Sequence, residues 1–351
     1  MKFNIVPFEE SLHKEGLLKL WREELSLKDG KRFEWLYKKN PAGPPTTFIA
    51  TESQTNNIVG CASVFPREIL FNGQIEKITI AADFAVKKKY RVFGPAIPLQ
   101  KAIIEFLNSG TYLLNLGYPN KAGEGIFQRI GYQHIGYSQA WSKILRINSK
   151  LDKKINNTLI SSMLSVPVNS ILWLTDIFKL TGDKRFVLKE ISDYNNQFDA
   201  LWQQNKRLNK QITGVRSKEY LKWRSGQPDK HILAYGLYQK NNNSLIGYVT
   251  YCLKKETVLI QDIFALPDGE TLKRLFRLFI KQMRKQHKEI IYISYFGNKQ
   301  LPDILKKFHF IPRPQKRSCI AYLPEQTGVN IDPSIFKTNT YWYLLDSEMD
   351  L

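Results

Sequence analysis

The chain repeats itself, and this repeat constrains the fold more than any other feature of the sequence. Four residues of the first half recur in matching surroundings in the second, as the pairs Trp35 and Trp223, Gly60 and Gly247, Asp83 and Asp262, and Asn120 and Asn298. The separation within these pairs falls from 188 to 187, 179 and 178 residues, in steps that fit loop insertions. We therefore predict a first domain at 1–148, a linker at 149–185, a second domain at 186–325 and a C-terminal tail at 326–351.

Both copies have the same order of predicted elements. A strand and helices come first, followed by a β-hairpin at 47–62 in one copy and at 232–249 in the other. A long central strand comes next, at 78–86 and 258–265, and then a helix, a strand, a short helix and a final strand. This order predicts an α/β (α+β) fold of two tandem domains, each a mixed, mostly antiparallel sheet flanked by helices.

The segment that follows the first central strand is basic and contains small residues. It reads Lys87-Lys88-Lys89-Tyr90-Arg91-Val92-Phe93-Gly94-Pro95-Ala96 and leads into an apolar helix. A turn into a helix N-terminus presents unpaired N–H groups and partial positive charge, and such an end binds phosphate. Gly94 and Ala96 let the backbone approach a pyrophosphate, whereas Pro95 contributes no N–H.

The second copy has a different loop at this place. It carries Asp268 and Glu270 and has no arginine, so Coulomb repulsion would disfavour phosphate there. We therefore predict one phosphate-binding loop per chain, in the first copy.

The order of elements and this loop resemble the GNAT acyltransferase superfamily, whose loop pattern Q/R-x-x-G-x-G/A is similar to Arg91-x-x-Gly94-x-Ala96. The segments 220–224 (YLKWR) and 342–346 (WYLLD) resemble, more narrowly, tandem-domain GNAT proteins found beside bacterial polysaccharide genes. The resemblance implies that acetyl-coenzyme A or another acyl-coenzyme A is the donor and that no metal is needed. It implies that the donor is bound by Phe84, Ala85, Val86, Arg91, Val92, Phe93, Gly94, Ala96 and Asn120.

Within this resemblance, the backbone of 84–86 would hold the pantetheine and donate an N–H to the thioester carbonyl. Asp83 directly precedes this stretch, and two interpretations stay open for it: a general base, or a carboxylate that orients the acceptor or is structural. Asp262 recurs in the copy without a phosphate loop, which favours the structural interpretation.

The family often has an asparagine followed seven positions later by a tyrosine that protonates the leaving thiolate. Here Asn120 is followed at that spacing by Phe127, which has no proton to donate. Tyr118 and Tyr132 are the nearby substitutes, although each is as readily explained as a packing aromatic.

Composition limits the classes of protein to which the chain can belong. The chain has 351 residues, of which 43% are hydrophobic, and its three cysteines and five histidines lie scattered, without the spacing of metal ligands. The scattered cysteines and the absence of a signal-peptide pattern predict a cytoplasmic location. The longest apolar stretch, at 159–180, is interrupted by Pro167, Asn169 and Asp176, which favours an interdomain helix pair over a peripheral membrane contact.

The formal net charge of +20 would attract nucleic acid, anionic lipid or a phosphate-rich cofactor, and it is equally what a lysine-rich proteome would give. No zinc finger, RNP-like pattern or basic zipper is present, so we expect no DNA partner.

Three functions remain open from the sequence. One is transfer of an acyl, most simply acetyl, group from coenzyme A to a small amine such as an amino sugar. The second is FemAB-like aminoacyl transfer from aminoacyl-tRNA, which the charge suits and the phosphate loop does not. The third is a non-catalytic binding protein, suggested by Phe127 and Pro95.

Overall fold

The computed structural model describes residues 2–25, 30–92, 94–148, 158–177, 184–208, 211–325 and 333–349. The strands of the first half are Phe3–Pro7 (β1), Thr46–Glu52 (β2), Ile58–Phe71 (β3), Gln74–Val86 (β4), Asn115–Gly117 (β5) and Gln133–Ile144 (β6). Its helices are Glu10–Glu24 (α1), a π-helical turn Phe33–Lys38, Ala96–Leu107 (α2) and Lys121–Arg129 (α3). Thr158–Ile177 (α4) connects the halves.

The second half repeats this order. Its strands are Phe186–Glu190 (β7), Ile212–Gly214 (β8), Leu233–Gln239 (β9), Leu245–Lys254 (β10), Thr257–Ala265 (β11), Ile290–Gly297 (β12) and Ile311–Tyr322 (β13). Its helices are Asn196–Leu208 (α5), Lys218–Ser225 (α6), Glu270–Lys285 (α7) and Gln300–Lys307 (α8). The chain continues through short 3-10 turns into Trp342–Leu345 (β14).

The strands form one sheet in which the halves exchange their last strands. The order is β1-β2-β3-β4-β5-β13-β6-β12-β11-β10-β9-β7, so β13 of the second half pairs with β5 and β6 of the first half pairs with β12. Among the described strands, β4 with β5, β11 with β12 and β8 with β14 are parallel pairs, and the others are antiparallel. This mixed, mostly antiparallel sheet with flanking helices confirms the predicted fold class.

The hairpin of β3 and β4 carries the central strand of the first half. Phe71 pairs with Gln74 across the two-residue turn Asn72-Gly73, and both turn residues have positive φ, 47° and 79°. Asn-Gly in this conformation is the strongest short-range hairpin signal, because its twist matches that of the strands. The turn therefore fixes the register of β4.

The halves meet at a pair of stacked tryptophans. The rings of Trp35 and Trp223 lie 4.7 Å apart at an interplanar angle of 9°. The indole N–H of Trp35 donates to the carbonyl of Trp223 at 2.8 Å, and the reciprocal bond is 3.0 Å. Such mutual contacts are those of a pseudo-two-fold axis. The residues that reveal the repeat in the sequence thus hold its two copies together.

The C-terminal segment is built into the second half. β14 pairs with β12 at Tyr295–Gly297 and with β8, and Trp342 is fully buried against Phe296 and Phe336. The predicted tail therefore belongs, where the structure describes it, to the folded body of the molecule.

Candidate functional site

A cleft opens where two parallel strands separate. β4 and β5 pair at Thr79–Ala81 with Asn115–Gly117, and beyond these residues the pairing ends. The cleft has a volume of about 320 Å³ and is lined by Leu25, Arg32, Ala81, Ala82, Asp83, Phe84, Tyr118, Pro119, Asn120, Gly123, Phe127, Gln227, Asp229 and Lys230. It therefore exposes the edge of β4 that lies away from β3.

Asp83 is held at this cleft by a bulge in β4. Cys61 pairs with Ala85 and Ser63 with Ala82, so β4 has one extra residue here, and Asp83 has a φ of 51°. A positive φ is uncommon for a residue other than glycine, and it re-aims the side chain. The bulge thus brings a carboxylate to the point where the two strands part.

The carboxylate of Asp83 is paired as well as positioned. Arg32 donates to its Oδ1 from Nη2 at 2.8 Å and from Nε at 3.2 Å, and both side chains are nearly buried. Tyr37 donates a long hydrogen bond of 3.5 Å to Oδ2, and burial together with Asp83 raises the pKa of the Tyr37 hydroxyl. The guanidinium offsets the cost of burying the charge. The ion pair with Arg32 suits a structural carboxylate, and the position at the cleft suits a general base.

The two tyrosines considered as proton donors lie in different places. Tyr118 lines the cleft with part of its side chain, and its hydroxyl oxygen is buried. Tyr132 is 4% exposed, packs against Phe127 and Tyr322, and does not line the cleft, and burial raises the pKa of its hydroxyl. This placement argues against Tyr132 as the group that protonates a leaving thiolate, since it has no contact with the cleft.

The other residues considered on β4 and α3 lie around the same gap. Phe84 lines the cleft and contacts Phe127 edge to face at 6.0 Å, while Ala85 and Val86 are buried and pair with β3. Asn120 lines the cleft too, and its side chain caps α3 by accepting from the N–H of Gly123 at 2.9 Å. A capping role therefore accounts for this asparagine without a ligand.

The basic loop is covered by carboxylates of α1. Glu24 accepts from Arg91 Nη2 at 2.6 Å and from the backbone N–H of Lys88 at 3.0 Å, and Glu23 pairs with Lys87 at 3.2 Å. A phosphate bound at this loop would accept hydrogen bonds from the same two donors, the backbone N–H and the guanidinium. An internal anion thus occupies part of the predicted pyrophosphate site.

The N-terminus of α2 also has fewer donors than the sequence interpretation allowed. Pro95 precedes the helix and Pro98 lies in its first turn, so Ala96 and Ile97 carry the N–H groups there, while the N–H of Leu99 donates to Pro95. Val92 is 76% exposed, and Phe93 lies outside the described residues.

Gly94 is needed for the shape of this loop. A Cβ added there would lie 1.7 Å from the carbonyl oxygen of Tyr90, a distance that no side chain tolerates. The glycine thus permits a close approach of backbone to backbone, in addition to any approach to a ligand.

The corresponding gap in the second half is filled by the chain itself. β11 and β12 pair in parallel up to Ile260 and Ile293, and β14 then pairs with β12 in the space beyond. The Tyr343 hydroxyl donates to the carbonyl of Ile263 at 2.6 Å, on the strand that carries Asp262. Among the described residues of the second half, a cavity of only about 50 Å³, lined in part by Phe264 and Tyr343, remains at this end of β11.

Asp262, the repeat of Asp83, lies in a buried charge network. It is 1% exposed, accepts from Arg216 at 3.0 Å and from the Tyr248 hydroxyl at 2.7 Å. Arg216 also pairs with Glu348 of the C-terminal segment at 2.5 Å, and burial raises the pKa of Glu348. Burial and several hydrogen bonds within the protein account for this carboxylate without a ligand.

Three cleft residues come from the second half and escaped sequence reasoning: Gln227, Asp229 and Lys230. Gln227 is 5% exposed, and its side-chain oxygen has no hydrogen-bond partner. Asp229 is exposed, and Lys230 donates to Gln261 at 3.1 Å. No spacing or motif marks this segment, because it reaches the cleft through the packing of the two halves.

One thiol lies beneath the cleft, where Cys61 Sγ donates to the backbone carbonyl of Asp83 at 3.1 Å. Within the described ranges, no group of three or more His, Cys, Asp or Glu side chains could hold a metal ion. Cys61, Cys252 and Cys319 are free and buried, and burial raises the pKa of each thiol.

The chain is similar to known proteins in structure, whereas comparisons of its sequence found no match. No protein-family model matches the chain, and no curated protein matches its sequence. Among solved structures, a protein of Enterococcus faecalis V583 described as a probable N-acyltransferase is similar over 93% of this chain and 73% of its own, with a TM-score of 0.67 and 13% identity.

Two further structures, described as GCN5-related N-acetyltransferases, come from Anabaena variabilis ATCC 29413 and Kribbella flavida. They have TM-scores of 0.65 and 0.62, identities of 14% and 13%, and each matches 92% of this chain and 73% or 72% of its own. At these identities the likeness concerns the fold. The chain has the fold of the GCN5-related N-acetyltransferases.

Proposed function

We propose that this protein is an acyltransferase that moves an acyl group, most simply acetyl, from coenzyme A to a small amine in the cleft of its first half. The observation that carries the proposal is the contrast between the two strand gaps. The gap beside β4 is open and lined by Asp83 and Tyr118, while its counterpart beside β11 is filled by β14. One donor is therefore expected per chain.

The free edge of β4 suits the donor. Pantetheine is a chain of amides, and it can add to an unpaired strand edge as another strand would. A backbone N–H in the stretch 82–86 would donate to the thioester carbonyl as negative charge develops on its oxygen. Phe84 would pack against the acyl end of the donor.

The acid–base steps fall to the polar side chains of the cleft. The amine nitrogen attacks the thioester carbon, the carbon–sulfur bond breaks, and the nitrogen loses a proton while the thiolate gains one. Asp83 is the candidate to accept the proton, directly or through water, and Tyr118 is the candidate to protonate the thiolate. Arg32 would keep the Asp83 carboxylate in place throughout.

The acceptor would enter from the side of the second half. Gln227 offers a buried hydrogen-bond acceptor, and Asp229 adds negative charge at the rim. Both suit an amine that carries further N–H or O–H donors, such as an amino sugar, which would agree with a role in bacterial polysaccharide synthesis. The cytoplasm, where acyl-coenzyme A is made and thiols stay reduced, is the proposed location.

A second candidate function is aminoacyl transfer from tRNA. The observation that favours it is Glu24, whose carboxylate already binds Arg91 and the N–H of Lys88. Pro95 and Pro98 further reduce the donors for a pyrophosphate. A donor without a pyrophosphate at this loop would not need to displace Glu24, and the net charge of +20 suits an RNA.

Parallel calorimetric titrations with acetyl-coenzyme A, coenzyme A and charged tRNA test these alternatives. We expect acetyl-coenzyme A to bind with a stoichiometry of one, with coenzyme A competing for the same site. Two equivalent sites would refute the assignment to the first half. Binding of the tRNA alone would establish the second candidate, and binding of neither donor would indicate a non-catalytic protein.

A further inference from the structure

Helix α4 is amphipathic, and its polar side faces the protein while its apolar side faces solvent. Among its side chains that the structure describes, several apolar ones face solvent: Val166 is 63% exposed, Ile171 60%, Trp173 50% and Leu174 51%. Two of its polar side chains, Ser165 and Asp176, face the protein and are 2% and 1% exposed, while Ser170 is exposed. A surface helix normally buries its apolar stripe, so an exposed stripe of this size marks a contact with something else.

Buried ion pairs fix this orientation. Asp176 accepts from Lys143 Nζ at 2.9 Å and from Arg284 Nε at 3.0 Å, and Arg284 Nη2 also donates to the carbonyl of Leu172 at 2.8 Å. Turning the helix to bury its apolar side would break these bonds and leave Lys143, which is 3% exposed, without its carboxylate. The apolar face, defined as Val166, Ile171, Trp173 and Leu174, is therefore held outward.

The surroundings of this anchor are basic. Arg284 belongs to α7, where Lys281 and Lys285 are exposed within one turn of it. Lys143 also donates to the carbonyl of Phe308 at 2.8 Å, and Phe308 directly follows the exposed Lys307. A second copy of this chain would bring the same lysines together and repel. An anionic partner would be attracted by them.

We propose that α4 docks this protein on the surface of an anionic phospholipid bilayer. The apolar face enters the boundary between headgroups and acyl chains, where a tryptophan is well accommodated, and Lys281 and Lys285 meet lipid phosphates. The helix lies in the interface rather than crossing it. None of the helices that the structure describes is long and apolar enough to span a membrane.

Vesicle co-sedimentation of the full chain tests this docking. We expect it to pellet with vesicles of equal parts phosphatidylglycerol and phosphatidylcholine, and to stay in solution with phosphatidylcholine alone. Ile171→Ser with Trp173→Ser should reduce the partition by about tenfold or more, since two apolar side chains no longer leave water. Lys281→Gln with Lys285→Gln should reduce it on the anionic vesicles.

Leu12→Ser is the matched control, because Leu12 is 72% exposed on α1, and it should bind as the unaltered protein does. The melting temperature of each variant shows whether it is folded. Equal partition of the Ile171/Trp173 variant, or no binding of the unaltered protein to anionic vesicles, overturns the proposal. So does a dimer in light scattering that this variant abolishes, since a second copy would then be the occupant. None of these outcomes depends on the acyl transfer proposed above.

Discussion

Replacing Gln227 by methionine separates a substrate contact from a structural one. Gln227 lines the cleft and is 5% exposed, and its buried Oε1 has no hydrogen-bond partner. A buried acceptor without a hydrogen bond costs about 1–3 kcal/mol of stability. Methionine has a similar length and no such oxygen, so Gln227→Met should keep or raise the melting temperature, by roughly 1–3 °C for each kcal/mol gained. If the glutamine supported the fold, the substitution would instead lower the melting temperature.

The same substitution should weaken acceptor binding. If Oε1 accepts from a protonated amine, the lost bond is worth about 1.5–3 kcal/mol, or roughly 10–150-fold in the acceptor KM. A neutral N–H or O–H donor would give about 1 kcal/mol, or roughly fivefold. The size of the change thus indicates whether the group that binds Gln227 is charged. The KM of the donor should not change, since Gln227 comes from the second half and the donor edge from the first.

The assay is thiol release from acetyl-coenzyme A with the best acceptor in a panel of amino sugars, polyamines and amino acids. Gln227→Glu is the matched control, because it keeps an acceptor oxygen at the same place and should retain binding of a cationic acceptor. A stable Gln227→Met enzyme with an unchanged acceptor KM would refute the assignment, and a lower melting temperature would show that the glutamine supports the fold.

Three further changes test the remaining contacts of the two gaps. Asp83→Asn should lower turnover by roughly 10²–10⁴-fold if Asp83 is a general base, with little change in donor affinity; turnover at the original rate would exclude that role. Asp262→Asn, in the filled gap, should instead lower stability by about 3–5 kcal/mol in urea unfolding, because Arg216 loses a buried partner. Activity loss without destabilisation would contradict this. Glu24→Gln should tighten coenzyme A binding by roughly 3–10-fold in calorimetry, since a competing charge-assisted bond to Arg91 is removed. Unchanged affinity would show that the pyrophosphate does not meet this loop.

The sequence predicts local structure and the repeat well. The hydrophobic order of both copies yields the fold class, and the paired positions of Trp35 and Trp223 proved to be one contact on a pseudo-two-fold axis. The Asn72-Gly73 turn fixes its hairpin by local backbone preference alone. The order of elements and the turn follow from neighbours in the chain, and the repeat is visible as recurring residues, so a single sequence contains all three.

What the sequence does not predict arises from distant contacts. The hydrophobic pattern of β13 identifies a strand, and it does not say that its neighbours are β5 and β6. The pairing of Glu24 with Arg91 joins residues 67 positions apart. The approach of Gln227 to Asp83 likewise depends on how the halves pack. Each of these contacts changes the candidate site, and none of them produces a periodic pattern in the sequence.

The strand exchange and the filled gap together explain why a duplicated fold would have one site. The outer edge of β5 is covered by β13 of the second half, and Gln227, also from the second half, lines the first cleft. The chain has one C-terminal segment, and it fills the gap of the second half, where Arg216 joins Asp262 to Glu348. None of the segments that the structure describes fills the first gap in this way. The asymmetry therefore follows from connectivity: one tail closes one of two equivalent gaps, and the other gap takes its remaining wall from the partner half.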